Sequence, residues 1–202
     1  MKTFVFDLGN VLVAFQFERA VRRLQARSRI SGPEMASLID QSPLLHRFET
    51  GQMTEQQFFS EVRERSGFDG GFAEFKELFA DIFAPIDAMI QLHAQLRAEG
   101  FRTFIFSNTN SIALDFVRRH YPFIRGFDGY ILSFEHGVMK PDAKLYEAVE
   151  TVTGASGSEL IYLDDRPENV AAGAARGWQA ILHERADKTL DRLRSIEPSV
   201  RG

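Results

Sequence analysis

Three acidic residues lie at the ends of apolar segments, where burial of a charge is costly. Asp7 interrupts the apolar run Phe4–Val13, and the pair Asp164 and Asp165 follows the run Leu160–Leu163. A carboxylate in such a place is stable when it is paired, binds a metal or takes part in catalysis. Three converging carboxylates would repel one another without a cation, and oxygen ligands suit Mg²⁺. The pattern predicts a magnesium site; a capping Asp and an acidic surface turn are the ordinary alternatives.

Two further segments carry groups that are suited to an anion. Ser107, Asn108 and Thr109 follow a second apolar segment, and Lys140 precedes Pro141 at the start of a predicted helix. A hydroxyl group and the backbone N–H groups of a turn can donate to phosphoryl oxygens. Pro suits a first helical turn, so the lysine before it is placed to reach the carboxylates and a phosphate. Each signal alone also fits ordinary turn chemistry or a solvated lysine.

These residues fall at the ends of predicted strands. Short runs rich in Val, Ile, Leu, Phe and Tyr predict strands at Thr3–Leu8, Thr103–Ser107, Tyr130–Ser133, Leu160–Leu163 and Gln179–His183. Nearly continuous apolar runs are typical of strands buried on both faces, and helical segments separate the later ones. The predicted fold is therefore α/β, a Rossmann-like parallel sheet with helices on both faces. A ligand is expected at the carboxyl ends of its strands.

The interval between the first two strands is much longer than a βαβ crossover, which needs about 30 residues in all. Residues 86–99 read as the crossover helix, and the surplus carries two capping-box patterns, Ser31–Glu34 and Thr54–Gln57. Eight of the 19 Phe residues lie between Phe48 and Phe83, which is enough aromatic area for a small helical core. We therefore predict a core domain of residues 1–15 and 85–202, and a four- or five-helix cap of residues 16–84 inserted over the carboxyl edge.

Composition excludes several classes of function. The 202 residues carry a net charge of −4 and no cysteine, so a dedicated binder of nucleic acid or of anionic membranes is not expected, and disulfides, thiolate metal sites and a cysteine nucleophile are ruled out. The longest early apolar run stops at Asp7, far short of a signal peptide or a membrane span. We expect a cytoplasmic protein that binds a small molecule; its oligomeric state cannot be predicted.

Taken in order, four motifs resemble the haloacid dehalogenase superfamily. They are Asp7 within Phe6–Val11, then Ser107-Asn108, Lys140-Pro141 and the pair Asp164-Asp165, and the insertion is similar to that family's helical C1 cap. The motif segments look closest to the branch that holds α-D-glucose-1-phosphate phosphatase and the phosphatase domain of soluble epoxide hydrolase. The resemblance implies a Mg²⁺-dependent phosphatase of a small phosphorylated metabolite.

The resemblance also implies a role for each motif residue. Asp7 would attack phosphorus and form an aspartyl-phosphate. Asp7, the backbone carbonyl of Gly9, and Asp165 would hold Mg²⁺, with Asp164 supporting its waters; which of the two adjacent aspartates is the direct ligand is left open. Lys140 is implied as a further catalytic residue, and it would bind the phosphoryl oxygens together with the substrate-binding residues Ser107, Asn108 and Thr109.

Gly9 departs from the family pattern, because most phosphatases of this family carry a second Asp there that protonates the leaving group. Gly9 offers a carbonyl but no proton, which favours substrates with acidic leaving groups, such as sugar 1-phosphates. The cap tripeptide Glu49-Thr50-Gly51 resembles a family loop and is a candidate to face the site. Two alternatives remain open: a metal-independent 2-haloacid dehalogenase, which Gly9 and the acidic pair argue against, and a non-catalytic binding protein of the same fold.

Overall fold

The central sheet consists of five parallel strands. The structure, a computed structural model, describes residues 2–199. Within that range the strands of the sheet are β1 (Thr3–Phe6), β4 (Arg102–Ser107), β5 (Gly129–Leu132), β6 (Leu160–Asp164) and β7 (Gln179–Leu182). Their order is β5-β4-β1-β6-β7, and every neighbouring pair is parallel. Strand β1 therefore lies at the centre, and its carboxyl end meets those of β4 and β6.

Helices cover both faces of this sheet. The helices of the core are α6 (Asp87–Ala98), α7 (Ser111–His120), α8 (Ser133–His136), α9 (Ala143–Thr153), α10 (Pro167–Ala175) and α11 (Ala186–Ile196). Side chains alternate across β1, so that Phe4 and Phe6 pack with residues of α6, α7 and α11, whereas Val5 packs with residues of α9 and α10 on the other face. This alternation explains why the strands are apolar at almost every position. The predicted fold class is confirmed.

The segment between β1 and α6 forms a helical cap. Its helices are α1 (Phe17–Gln25), α2 (Gly32–Ile39), α3 (Pro43–Glu49), α4 (Glu55–Ser66) and α5 (Phe72–Ala80). Both predicted capping boxes are present, at the starts of α2 and α4. The ring of Phe58 stacks on Phe48, with centroids 4.5 Å apart, and contacts Phe75 and Phe79 at 5.9 and 5.2 Å. The phenylalanines of the insertion thus form its core.

A two-stranded ribbon joins the cap to the sheet, and sequence patterns did not predict it. Strands β2 (Val13–Phe15) and β3 (Phe83–Pro85) pair antiparallel. Each has only three residues, too few to show a period-2 pattern. The ribbon lies where the predicted core and cap segments meet, and the division at residues 16–84 stays a prediction. None of the helices within residues 2–199 is both long and apolar enough to cross a membrane.

Candidate active site

Asp7 lies at the carboxyl end of the central strand, next to the end of β6. Its backbone N–H donates to the Leu163 carbonyl at 2.8 Å, which places Asp7 beside Asp164 on the neighbouring strand. The Asp7 carboxylate accepts from the Leu8 amide at 2.7 Å, and the residue is only 7% exposed. After Gly9 the chain turns sharply, with Asn10 at a φ of 53°. Gly9 lines the same cavity as Asp7 and Asp165.

Lys140 joins two of the carboxylates. Its ammonium group lies 2.6 Å from Asp164 Oδ2 and 3.1 Å from Asp7 Oδ1, and it donates to the Phe106 carbonyl at 2.8 Å. The side chain is almost completely buried. Burial alone would lower the pKa of Lys140, but the charges of Asp7 and Asp164 raise it above its usual value. The lysine is therefore a fixed positive charge at this edge of the sheet.

Asp164 and Asp165 have different surroundings. Asp164 is fully buried, and besides Lys140 it accepts hydrogen bonds from the Tyr162 hydroxyl at 2.5 Å, the Arg166 amide at 2.8 Å and the Asn169 side chain at 3.0 and 3.2 Å. Burial would raise the pKa of Asp164, but Lys140 and the other donors lower it overall.

Asp165 is partly exposed and lines the cavity above the sheet, where it accepts a hydrogen bond from the Asn10 side chain at 2.9 Å. Both carboxylate oxygens of Asp164 accept hydrogen bonds from protein groups. The carboxylate of Asp165 faces the cavity and can still bind a ligand. This difference bears on which of the two aspartates could hold a cation directly.

The carboxylates of Asp7, Asp164 and Asp165 fit a hard divalent cation. Each offers one oxygen, and these three atoms lie within 4.8 Å of one another. Burial raises the pKa of Asp7 to about 7; Lys140 opposes this shift, while Asp164 and Asp165 add to it. Three carboxylates against a single ammonium group leave a net negative charge, and a cation would hold Asp7 in its ionised form. The donor set of carboxylate and carbonyl oxygens is the one that Mg²⁺ prefers.

The predicted anion-binding segment follows β4. Ser107 is buried at the end of that strand. The side chain of Asn108 accepts from the backbone N–H of Lys140 at 2.7 Å and donates to its carbonyl at 3.1 Å, so it holds the lysine segment in place. The Thr109 amide donates to the Ser133 hydroxyl at 2.9 Å. The backbone amide of Asn108 and the Thr109 side chain are therefore the groups of these two residues that remain for a ligand.

A cavity of about 730 Å³ lies between cap and core. The core contributes Asp7, Gly9, Asn108, Thr109, Lys140 and Asp165 to its lining, whereas Ser107 and Asp164 lie behind this surface. All eight predicted site residues thus line the cavity or contact one that does: Asp164 contacts Lys140, and the Ser107 hydroxyl donates to the Asn108 carbonyl at 3.4 Å.

The cap contributes a mixed wall. Its apolar part includes Phe17, Leu45 and Phe79, and Phe15 of the ribbon lies at the mouth, 45% exposed. Its polar part includes Asp40, His46 and Glu49. The cap contacts the core beside this wall, where the backbone of Gly51 approaches the carbonyl of Phe134. A Cβ atom built at Gly51 would lie only 2.2 Å from that carbonyl oxygen. Glycine is required there both by this close approach and by a φ of 66°.

Sequence patterns did not predict several residues that hold the site residues in position. Asn10 contacts Asp165, Tyr162 and Asn169 bind Asp164, and Ser133 binds both backbone groups of Thr109. Asn169 lies five residues after Asp164, a spacing that places it on the first turn of α10 and could have identified it from the sequence. Ser133 offers no signal, because its partner is 24 residues away along the chain.

A parallel sheet, an inserted helical cap, and carboxylates with a lysine at the carboxyl edge are together the features of the haloacid dehalogenase-like enzymes. The family model described as haloacid dehalogenase-like hydrolase matches residues 1–177. The chain belongs to this family, which confirms the superfamily resemblance; the finer branch stays a prediction.

Known relatives cover nearly the whole chain. A sesquiterpene phosphatase of Aspergillus oryzae is 27% identical over 179 residues, which is 87% of this chain and 86% of the relative. A D-ribitol-5-phosphate phosphatase of Bacteroides thetaiotaomicron is 20% identical over 190 residues, 91% and 92% of the two chains. The crystal structure of a family enzyme from B. thetaiotaomicron with magnesium and inorganic phosphate superimposes with a TM-score of 0.82 at 21% identity, covering 91% of this chain and 94% of that one.

Proposed function

We propose that this protein is a Mg²⁺-dependent phosphatase that hydrolyses a small phosphorylated metabolite through an aspartyl-phosphate on Asp7. The observation that carries the proposal is the cluster of Asp7, Asp164 and Asp165, in which Lys140 contacts Asp7 and Asp164, while Asp7, Asp165 and Lys140 line the cavity. Two relatives of similar length are named phosphatases, which supports this activity over the other chemistries of the fold.

Asp7 is the nucleophile in this proposal. It is the carboxylate that both lines the cavity and contacts Lys140, so one of its oxygens can be directed at phosphorus while the lysine holds the side chain. Attack forms a bond between an Asp7 oxygen and phosphorus as the bond to the leaving oxygen breaks. Water then cleaves the aspartyl-phosphate, and inorganic phosphate is released.

The cation would be held by Asp7, the Gly9 carbonyl and Asp165. The oxygens of Asp164 already accept hydrogen bonds from protein donors, so Asp164 would act indirectly by holding Lys140 in position. When bound, Mg²⁺ supplies positive charge opposite the phosphoryl oxygens, where negative charge gathers during transfer. The protein's own share of that charge comes from Lys140, which does not depend on the metal to be in position.

The phosphoryl oxygens would be bound by Lys140, the Ser107 hydroxyl, the Asn108 amide and Thr109. The side-chain hydrogen bonds from Asn108 to the backbone of Lys140 tie these two binding elements together. Donors that are fixed before the substrate arrives need not reorganise during the reaction, which is where most of the electrostatic benefit to phosphoryl transfer arises.

The proposed organic part of the substrate is a sugar linked through its anomeric oxygen. Gly9 supports this choice, since a sugar 1-phosphate has a more acidic leaving group than an ordinary alkyl phosphate, and so do the polar residues Asp40, His46 and Glu49 of the cavity wall. A second candidate for the organic part is an apolar alcohol, because phenylalanine side chains also line the cavity. The A. oryzae relative is named a sesquiterpene phosphatase, which supports this candidate.

The test is hydrolysis of p-nitrophenyl phosphate with and without Mg²⁺, followed by a comparison of glucose 1-phosphate with a C15 isoprenyl monophosphate. We expect activity that chelator abolishes and Mg²⁺ restores. Full activity in chelator would contradict the Mg²⁺ requirement, and chloride release from 2-chloropropionate would favour the dehalogenase instead. Absence of any turnover would favour the binding protein. The expected cytoplasmic location stays a prediction.

A further inference from the structure

Gly9 has no side chain that could supply a proton, and the packing around it explains why a larger residue is absent there. A Cβ atom built at Gly9 would lie 2.0 Å from Cε2 and 2.6 Å from Cζ of Phe15. The ring of Phe15 therefore occupies the space that a side chain at position 9 would need. An alkoxide leaving group must then take its proton from another element, because unassisted departure of an alkoxide is slow.

Glu49 is a carboxyl group on the opposite wall of the same cavity. It is the last residue of α3, it is half-buried, and it lines the cavity together with Asp7 and Gly9. The core residue Asn110 lines the same cavity as Glu49. Asn110 caps α7 by accepting from the Ala113 amide at 3.0 Å, and it directly follows Asn108 and Thr109.

The surroundings of Glu49 favour its protonated form. Burial raises the pKa of Glu49 to about 7; the hydrogen bond from Asn110 opposes the shift and the negative charge of Asp40 adds to it. Cations on the cavity wall are Lys140, which is paired with Asp7 and Asp164, and Arg166, whose side chain is paired with Glu168. His46 lies one turn before Glu49 on α3 and is exposed. A proton donor near neutral pH needs a pKa of this kind.

We propose that Glu49, from the cap, protonates the leaving oxygen of the substrate and so replaces the acid that Gly9 lacks. This role rests on the proposed phosphatase function. In the first step the bond between phosphorus and the leaving oxygen breaks, the bond from Asp7 to phosphorus forms, and the Glu49 proton passes to the leaving oxygen. In the second step the Glu49 carboxylate takes a proton from the attacking water while the bond between Asp7 and phosphorus breaks, which restores both groups.

The test compares kcat/KM across aryl and alkyl phosphates of increasing leaving-group pKa, for the wild type and for Glu49→Gln. This ratio covers the steps up to departure of the alcohol, so it reports on the first proton transfer. For Glu49→Gln we expect a loss of about 10²–10⁴-fold with alkyl phosphates, a loss below about tenfold with p-nitrophenyl phosphate, and hence a steeper dependence on leaving-group pKa. Glu49→Asp, which keeps an acid, should recover part of the alkyl activity.

Glu55→Gln is the matched control. Glu55 is another cap glutamate that contacts the start of α7, where it accepts from the Ser111 hydroxyl at 2.7 Å, but it does not line the cavity. Its substitution should leave the slope unchanged. Asp40→Asn tests the other cap carboxylate on the wall and should leave the slope near that of the wild type.

Three outcomes would overturn the inference. The first is an equal loss of kcat/KM for every substrate in Glu49→Gln, which would indicate a purely structural or binding role. The second is no loss of kcat/KM in Glu49→Gln. The third is a steeper dependence on leaving-group pKa in Asp40→Asn and not in Glu49→Gln. In each case the wild type still hydrolyses p-nitrophenyl phosphate and the proposed function stands. Only a wild type that is inactive on the whole series with Mg²⁺ would overturn both.

Discussion

The ring of Phe15 lies against the backbone of Gly9, closer than any side chain at position 9 would allow. Phe15 belongs to the ribbon that joins cap and core, and its ring also contacts Phe83 on the other strand of that ribbon, with centroids 5.3 Å apart. The glycine of the active-site turn and the aromatic ring of the junction are therefore matched to each other, and one should not change without the other.

Gly9→Ala should reveal this match. The added methyl group would displace the Phe15 ring, and we expect a loss of about 1–3 kcal/mol in the free energy of unfolding. Phe15→Ala in the same chain should return part of it, with a coupling of about 0.5–3 kcal/mol between the two changes in urea unfolding. Gly32→Ala is the control, since a Cβ atom there meets nothing within 4 Å. Additive effects of the two substitutions would show that the ring moves aside freely.

Asp7→Asn should remove turnover and keep the fold. An amide is a poor nucleophile, and we expect kcat for p-nitrophenyl phosphate to fall by about 10⁴-fold or more. Lys140 would still have Asp164 as a partner, so circular dichroism and the thermal unfolding midpoint should change little. Residual activity above about one per cent of wild type would argue against a covalent intermediate on this residue.

Asp164 and Asp165 should respond differently to replacement by Asn. Asp164→Asn puts an NH₂ group among hydrogen-bond donors and takes a charge from buried Lys140, and we expect unfolding to become easier by about 3–5 kcal/mol. Asp165→Asn should hardly affect unfolding but should raise the Mg²⁺ concentration for half-maximal activity at least about tenfold. Similar effects of the two changes, in unfolding and in Mg²⁺ titration, would contradict the division of roles.

Sequence patterns predicted best the positions of the acidic residues at the ends of buried strands. The strand that ends at Asp7 and the one that ends at Asp164 are apolar at nearly every position because both faces are covered, and parallel strands necessarily bring their carboxyl ends to one edge. Asp7 and Asp164 could therefore be placed side by side from the amino-acid sequence alone. The insertion was visible from its length and from the capping boxes at Ser31 and Thr54.

Contacts between distant segments could not be predicted in the same way. The hydrogen bond from Thr109 to Ser133 and the placement of Asn110 and Glu49 on one cavity depend on how the segments dock, and none of these residues has an unusual local sequence. The close approach of Phe15 to Gly9 follows from the antiparallel ribbon, whose strands are too short to recognise. Sequence patterns locate the reacting carboxylates, whereas docking of the cap decides which of its groups can reach them.

His93 should make the fold sensitive to acid. Its imidazole is buried between sheet and helices, with Nε2 3.2 Å from the Thr103 hydroxyl and the ring stacked on Phe127 at 3.7 Å between centroids. Burial, and to a smaller extent the charge of Arg97, lowers the pKa of His93 to about 4, although Asp128 opposes the shift. The unfolded chain, with a histidine pKa of about 6.5, therefore binds this proton more tightly than the folded chain does.

The free energy of unfolding should accordingly fall as the pH is lowered from about 6.5 to about 4, by up to about 3 kcal/mol from this residue. His93→Gln cannot gain a proton, so it should be less stable than the wild type at pH 8, where the packing is lost, but should lose less stability over that interval. Urea unfolding of both proteins from pH 8 to pH 4 measures the difference, and His136→Gln, at an exposed position, controls for loss of a histidine as such. Parallel pH profiles for wild type and His93→Gln would mean that His93 is protonated in the folded protein as readily as in the unfolded chain.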